Sequence, residues 1–327
     1  MMKTLISGIA AAEVGFVLAL TLSIGKAGAA DYPERRLVAI VPYAAGSTTD
    51  TMARRISPPL AKALGQQVII ENKPGADGRI GTDAMTKAAP DGYTILFTGA
   101  AIAMTPAIRK NISWDPVRQI QPVAELGESA YVIVVNPSVP ANNLAAFVNL
   151  AKNYPGKLNG SAGGDSTGMA LALFRIKTGS RAETITYKGT GLAALAVVTG
   201  EVDFAILDAS AWLAFIPSGR VRPLAVSGNK RLSALPEIPT TDEAGLPDFD
   251  VGSMFGVYTT GGVPMNIVLR LNAEINKIIT APDIAGGLNR LGLVPTPLSV
   301  EQFTRRYMSD LAKWKEVVKR ANLPVLD

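Results

Sequence analysis

Residues 37–56 constrain the fold more than any other stretch of this chain. Leu37-Val38-Ala39-Ile40-Val41-Pro42 is a short apolar run closed by proline. Such a run suits a strand buried on both faces, as in a parallel sheet covered by helices. Tyr43-Ala44-Ala45-Gly46-Ser47-Thr48-Thr49-Asp50 follows; it is small, hydroxylated and glycine-bearing, and reads as a loop. Met52, Ile56 and Leu60 then recur at helical spacing. Strand, small-residue loop and helix in this order aim unpaired backbone N–H groups at an anion. A helix start leaves about four such groups and carries roughly half a positive charge, which a carboxylate or a phosphate satisfies. Ser47, Thr48 and Asp50 are equally the residues of an ordinary N-cap. The lysine of a nucleotide P-loop is missing, and so are the three glycines of a dinucleotide fingerprint.

The alternation continues along the chain. Residues 67–72, 93–97, 122–126, 131–135, 184–187, 202–207, 221–227 and 252–258 read as strands. Residues 79–88, 144–153, 169–177, 191–199, 266–280 and 300–320 read as helices. This order predicts an α/β chain with parallel pairing and right-handed crossovers. Ligands in such sheets lie beyond the carboxyl ends of strands. Three further strand ends qualify. Thr98-Gly99-Ala100-Ala101 is one, and Asp208-Ala209-Ser210 is another. The third, Ser161-Ala162-Gly163-Gly164-Asp165-Ser166-Thr167-Gly168, again opens a helix. Two glycine and hydroxyl loops, one per lobe, suggest facing jaws, although Asp165 and Ser166 are also helix caps. Phe303, Tyr307, Leu311 and Trp314 form a packing stripe on the last helix, expected to lie on its own lobe.

The chain has no cysteine and no histidine. A Ser-His-Asp triad cannot be built, and the usual zinc ligands are missing, so neither a metal nor a cofactor is expected. Any general base has to be Asp, Glu, Lys or Tyr. There is no basic stripe, which argues against nucleic acid. The N-terminus carries Lys3, an apolar run over 14–24 and the small residues Ala27-Gly28-Ala29. That is the pattern of an export leader cleaved after Ala29, although Glu13 weakens it. Removing it leaves 298 of the 327 residues and, since Lys3, Lys26 and Glu13 depart, a net charge of +4 instead of +5. A mature chain of this size is large enough for two lobes.

Many ordered blocks resemble one family. They include Val41-Pro42-Tyr43 through Asp50 with Ala53-Arg54, Glu71-Asn72-Lys73-Pro74-Gly75-Ala76 and Pro90-Asp91-Gly92-Tyr93-Thr94. They continue with Val134-Val135-Asn136-Pro137, Tyr187-Lys188-Gly189, Gly200-Glu201-Val202-Asp203, Ala234-Leu235-Pro236-Glu237-Ile238-Pro239-Thr240 and Arg270-Leu271-Asn272-Ala273-Glu274. On these residues the chain resembles the Bug receptors, the periplasmic solute-binding proteins of tripartite tricarboxylate transporters. The resemblance implies a type II periplasmic-binding-protein fold, two α/β lobes joined by two crossing strands. We expect lobe 1 to be residues 30–130 plus 255–327, and lobe 2 residues 131–254. It also implies an exported, periplasmic, monomeric receptor that captures a small carboxylate and presents it to membrane permease subunits.

The resemblance places Tyr43, Ala44, Ala45, Gly46, Ser47 and Thr48 in the first binding loop. Ser161, Ala162, Gly163, Asp165, Ser166 and Thr167 fall in the opposed loop, and Thr98, Gly99, Ala100, Ala101 and Asp208 line the same cleft. Three positions depart from the family pattern. Ala45-Gly46-Ser47 stands for Pro-Gly-Gly, Asp165 for a glycine, and Gly168 for a frequent histidine. An acidic side chain at the mouth of an anion site repels a second carboxylate, unless it points away as a cap or the ligand carries an amine. The expected mechanism is capture of one carboxylate by N–H groups and hydroxyls without a salt bridge, Tyr43 and Thr98 shaping the pocket. Two other readings stay open: an exported enzyme on this fold using Asp50, Asp165, Asp208 or Lys188, and a sensor that presents its closed form to a signalling receptor.

Overall fold

The computed structural model describes residues 32–290, 292–323 and 325–326. The expected leader lies outside the described residues. The elements run β1 (Leu37–Val41), α1 (Thr48–Leu64), β2 (Val68–Asn72), α2 (Arg79–Thr86), β3 (Thr94–Thr98), α3 (Ala101–Ile108) and β4 (Ile120–Val135). They continue with α4 (Leu144–Asn153), β5 (Asn159–Ala162), α5 (Asp165–Thr178), β6 (Glu183–Thr186), α6 (Thr190–Thr199), β7 (Phe204–Asp208) and β8 (Arg222–Val226). The chain closes with β9 (Gly252–Thr260), α7 (Met265–Thr280), α8 (Pro282–Arg290) and α9 (Val300–Ala321). Helices α3 and α8 were not anticipated from the residue pattern.

The strands form one path, β2-β1-β3-β9-β4-β7-β5-β6, with β8 also on β4. The expected parallel pairs are present at β1 with β2 and β3, and at β5 with β6 and β7. The centre differs: β3, β4, β7, β8 and β9 pair antiparallel. The two strands expected at 122–126 and 131–135 are a single strand of sixteen residues. Its first part, from Ile120 to Ala130, pairs with β9, and its last part, from Tyr131 to Val135, pairs with β7. One strand therefore belongs to two half-sheets. Helix-connected strands pair locally and in parallel, whereas β4 and β9 are brought together by chain passing between the two halves.

Packing follows the apolar pattern. Ser47 caps α1 by accepting from the Asp50 N–H at 3.2 Å, and Met52, Ile56 and Leu60 are fully buried. Phe147, Phe174 and Phe204 meet at centroid distances of 5.0–6.0 Å in the second half, each burial contributing about 1.5–3 kcal/mol. The stripe on α9 is buried at Phe303, Tyr307 and Trp314 as expected. The helix does not keep to one lobe, however. It packs against α3 of the first half and α5 of the second, within a core that also holds Ile40, Leu96, Ile133 and Phe174. Among the described residues no helix is long and apolar enough to cross a membrane.

Candidate functional site

Register decides where the strand ends meet. Thr98, closing β3, lies opposite Gly256 on β9, and Gly256 lies opposite Glu125 on β4. Asp208, closing β7, lies opposite Tyr131 on β4. The carboxyl ends of both half-sheets therefore flank one short piece of the crossing strands. Ser253 of β9 points its Oγ to the Tyr131 hydroxyl at 3.4 Å and forms the floor with it.

The first wall carries Tyr43 and Thr98. The Tyr43 phenol is pushed up to about 12, first by burial and then by the negative charge of Asp77; a hydrogen bond with Thr98 partly offsets this, and Asp165 adds to the rise. Asp77 sits at φ 53 beside Ala76 at φ 49, a left-handed pair between Gly75 and Gly78 that L side chains rarely adopt. Burial, and then Asp165 across the cleft, push the Asp77 carboxyl above the usual range, with Arg109 opposing. Arg109 follows α3, and its Nη2 donates to Asp165 Oδ2 at 3.1 Å. Its Nε is buried and has no acceptor among the described residues.

The second wall begins with Asp165, first residue of α5. Next to it, Ser166 hydrogen-bonds the buried Tyr131 hydroxyl, which also lies near Tyr43 and Asp208. Burial pushes the Asp208 carboxyl up to about 6, and Ser253 holds it back by hydrogen bonding. Tyr43, Thr98, Asp165, Ser166 and Asp208 are thus gathered around one floor.

The other expected residues are placed differently. Ala44, Ala45, Gly46 and Thr48 are exposed on the rim. Gly46, at φ +84, spends its N–H on Asp50 Oδ2 at 2.9 Å. Ser47 is the helix cap. Ser161 donates to the Ala193 carbonyl, and Thr167 Oγ1 takes the Gly163 N–H at 2.8 Å and donates to the Gly164 carbonyl. Ala162 is buried, and Gly99 packs on Met254 and Phe255, while Ala100 and Ala101 are half-buried at the start of α3. The expectation of a cleft without a guanidinium is overturned by Arg109. It escaped sequence reading because it follows a helix that was not anticipated. Asp77 escaped because a Gly-flanked aspartate reads as an ordinary turn residue.

Asp50 is a structural residue. It accepts from the Gly46 N–H, from Arg54 Nε at 2.9 Å and from Asn72 Nδ2 at 2.9 Å. The bond from Arg54 leads in holding its carboxyl down to about 2. A depressed carboxylate contributes stability above its unfolded range near 3.8 and loses it as pH falls through about 2. Asp50→Ala is expected to cost about 2 kcal/mol at pH 7 in urea denaturation, and less at pH 2–3. An equal cost at both pH values contradicts this role.

The family model for the tripartite tricarboxylate transporter family receptor, TctC, matches residues 52–323. The chain belongs to this receptor family. Protein BugT of Bordetella pertussis is 32% identical over 313 residues, covering 94% of this chain and 96% of BugT. R. palustris Rpa4515, solved with adipate, superposes at a TM-score of 0.78, with 28% identity, covering 89% of this chain and 99% of that one. MatC from Rhodopseudomonas palustris, with bound malate, gives 0.72 at 28% identity, covering 88% and 100%. The tripartite tricarboxylate receptor fold is therefore that of this chain, two lobes joined by β4 and β9, and family members are periplasmic binding proteins.

Proposed function

We propose that the chain is exported, loses its leader near Ala29, and works in the periplasm as a receptor for a small carboxylate. The lobes are residues 30–130 plus 255–327 and residues 131–254, with α9 bracing both. The convergence of Thr98 and Asp208 on the Tyr131–Ser253 floor is the observation that carries this reading, because it sets strand ends from both lobes around one space. Relatives of the same fold were solved with adipate and with bound malate, which supports a carboxylate as cargo.

In this reading the carboxylate meets Arg109, the hydroxyls of Tyr43 and Ser166, and the free amides at the start of α1. Charge-assisted hydrogen bonds contribute roughly 1.5–3 kcal/mol each, so three or four offset immobilisation of the solute and reach micromolar affinity. Arg109 and Asp165 already link the two lobes, so closure and capture act through the same side chains. The closed form is what permease subunits bind. The receptor works as a monomer and without catalysis: Asp50 is occupied by its cap network and Lys188 is exposed. Titration calorimetry against a panel of small organic acids is expected to find micromolar binding. No heat from any carboxylate, with protein shown to be folded, refutes the receptor reading.

A further inference from the structure

Resting on that reading, we infer that the solute is a small zwitterion, one carboxylate accompanied by an ammonium group, and not a dicarboxylate. Three carboxylates, Asp77, Asp165 and Asp208, are gathered at the space between the lobes, and two guanidiniums stand against them: Arg109, which bonds Asp165, and Arg79, which lines the same wall as Asp77 and Thr98. Among the described residues the Arg109 side chain bonds Asp165, and Arg79 turns its Nε to the Ala76 carbonyl. The arrangement is amphoteric and tilted towards negative charge.

Each half of a zwitterion has a place in it. The Arg109 guanidinium uses one N–H on Asp165 and keeps a buried Nε without an acceptor. A guanidinium edge of this kind matches a carboxylate. On the other side, Asp208 is half-buried and desolvated, with no cation beside it among the described residues; Ser253 supplies its side-chain hydrogen bond. A partly desolvated carboxylate without a counter-charge is unfavourable, and an ammonium group removes that penalty while donating up to three hydrogen bonds. Asp77 and Asp165 come within hydrogen-bonding reach of each other from the two walls, and the Asp165 charge adds to burial in raising the Asp77 carboxyl. A second ligand carboxylate adds to this repulsion, whereas an ammonium relieves it.

The test compares acids that differ only by an amino group, on the unmodified protein, by titration calorimetry at pH 7. The pairs are propanoate with 3-aminopropanoate, butanoate with 4-aminobutanoate, and succinate with aspartate. In each pair the amino member is expected to bind on the order of 100-fold more tightly, the effect of one close charge pair in a partly screened site. Succinate is expected to be the weakest of the six. In Asp208→Asn, checked for folding by circular dichroism, the preference for the amino member is expected to shrink at least about tenfold, and a preference that stays at its parent size counts against the inference. Plain acids binding as tightly as their amino partners overturn the inference and leave the receptor reading intact. Binding by none of the six, with other carboxylates binding, also overturns it. Silence from every acid overturns both.

Discussion

Replacing Arg306 with alanine is expected to cost about 3–4 kcal/mol of stability at pH 9 and markedly less at pH 5. Arg306 reaches from α9 to β4, donating Nη1 to Glu125 Oε1 at 2.8 Å and Nη2 to Glu128 Oε2 at 2.7 Å. The Glu125 side chain is fully buried, and its Oε2 has no partner among the described residues. Burial pushes its carboxyl up to about 8 despite the opposing guanidinium, and Glu128 and Asp310 add to the rise. A carboxyl raised in the folded state holds its proton more tightly than the unfolded chain does. Its stabilising contribution is complete below the unfolded value of 4.5 and is lost as pH rises through about 8. Without Arg306 the carboxyl rises further, so the loss extends to higher pH and the gap from the parent protein widens. Urea denaturation at pH 5, 7 and 9 measures this. Adding Glu125→Gln to the variant is expected to flatten the pH dependence. A penalty equal at all three pH values is incompatible with this account.

Gly163→Ala is expected to destabilise the protein by about 3 kcal/mol and to weaken solute binding at least tenfold. A Cβ on Gly163 falls 2.5 Å from both the Cα and the N of Thr190, and 2.7 Å from the Gly189 carbonyl carbon. These are backbone atoms at the start of α6, so no side chain can swing aside. The loop must move instead, and it carries Asp165 and Ser166. The contrast is Gly46, whose Cβ meets nothing within 4 Å. Its φ of +84 makes Gly46→Ala a conformational cost of about 1 kcal/mol and no more. Chemical denaturation and calorimetry on both variants check the difference. Equal unfolding midpoints for the two contradict the packing argument.

The two glycines show how much of the site was legible. Both loops were found from small and hydroxylated residues between a strand and a helix, and both do lie at strand ends. Their roles were not legible. Gly46 meets its own helix cap, and Gly163 is pressed by a turn more than twenty residues away in sequence. Similarly, Asp208 was picked out because it closes an apolar strand, but its raised carboxyl comes from burial among Tyr131 and Ser253, which arrive on other strands. Arg109 lies outside every candidate binding loop, beyond a helix that Ala101-Ile102-Ala103-Met104 does not announce.

Local pattern alone set most of the strands and helices, though not α3, α8 or the continuity of β4, together with the cap at Ser47, the apolar stripe of α9 and the lack of thiol, histidine and the usual zinc ligands. Those properties depend on residues within a few positions of one another, where backbone geometry imposes periods of two and 3.6. Tertiary structure decided that two expected strands are one, that α9 braces both lobes, and that a guanidinium stands among three aspartates. Each of those follows from antiparallel pairing of β4 with β9, segments about 130 residues apart, and pairing across such a separation leaves no trace in local periodicity.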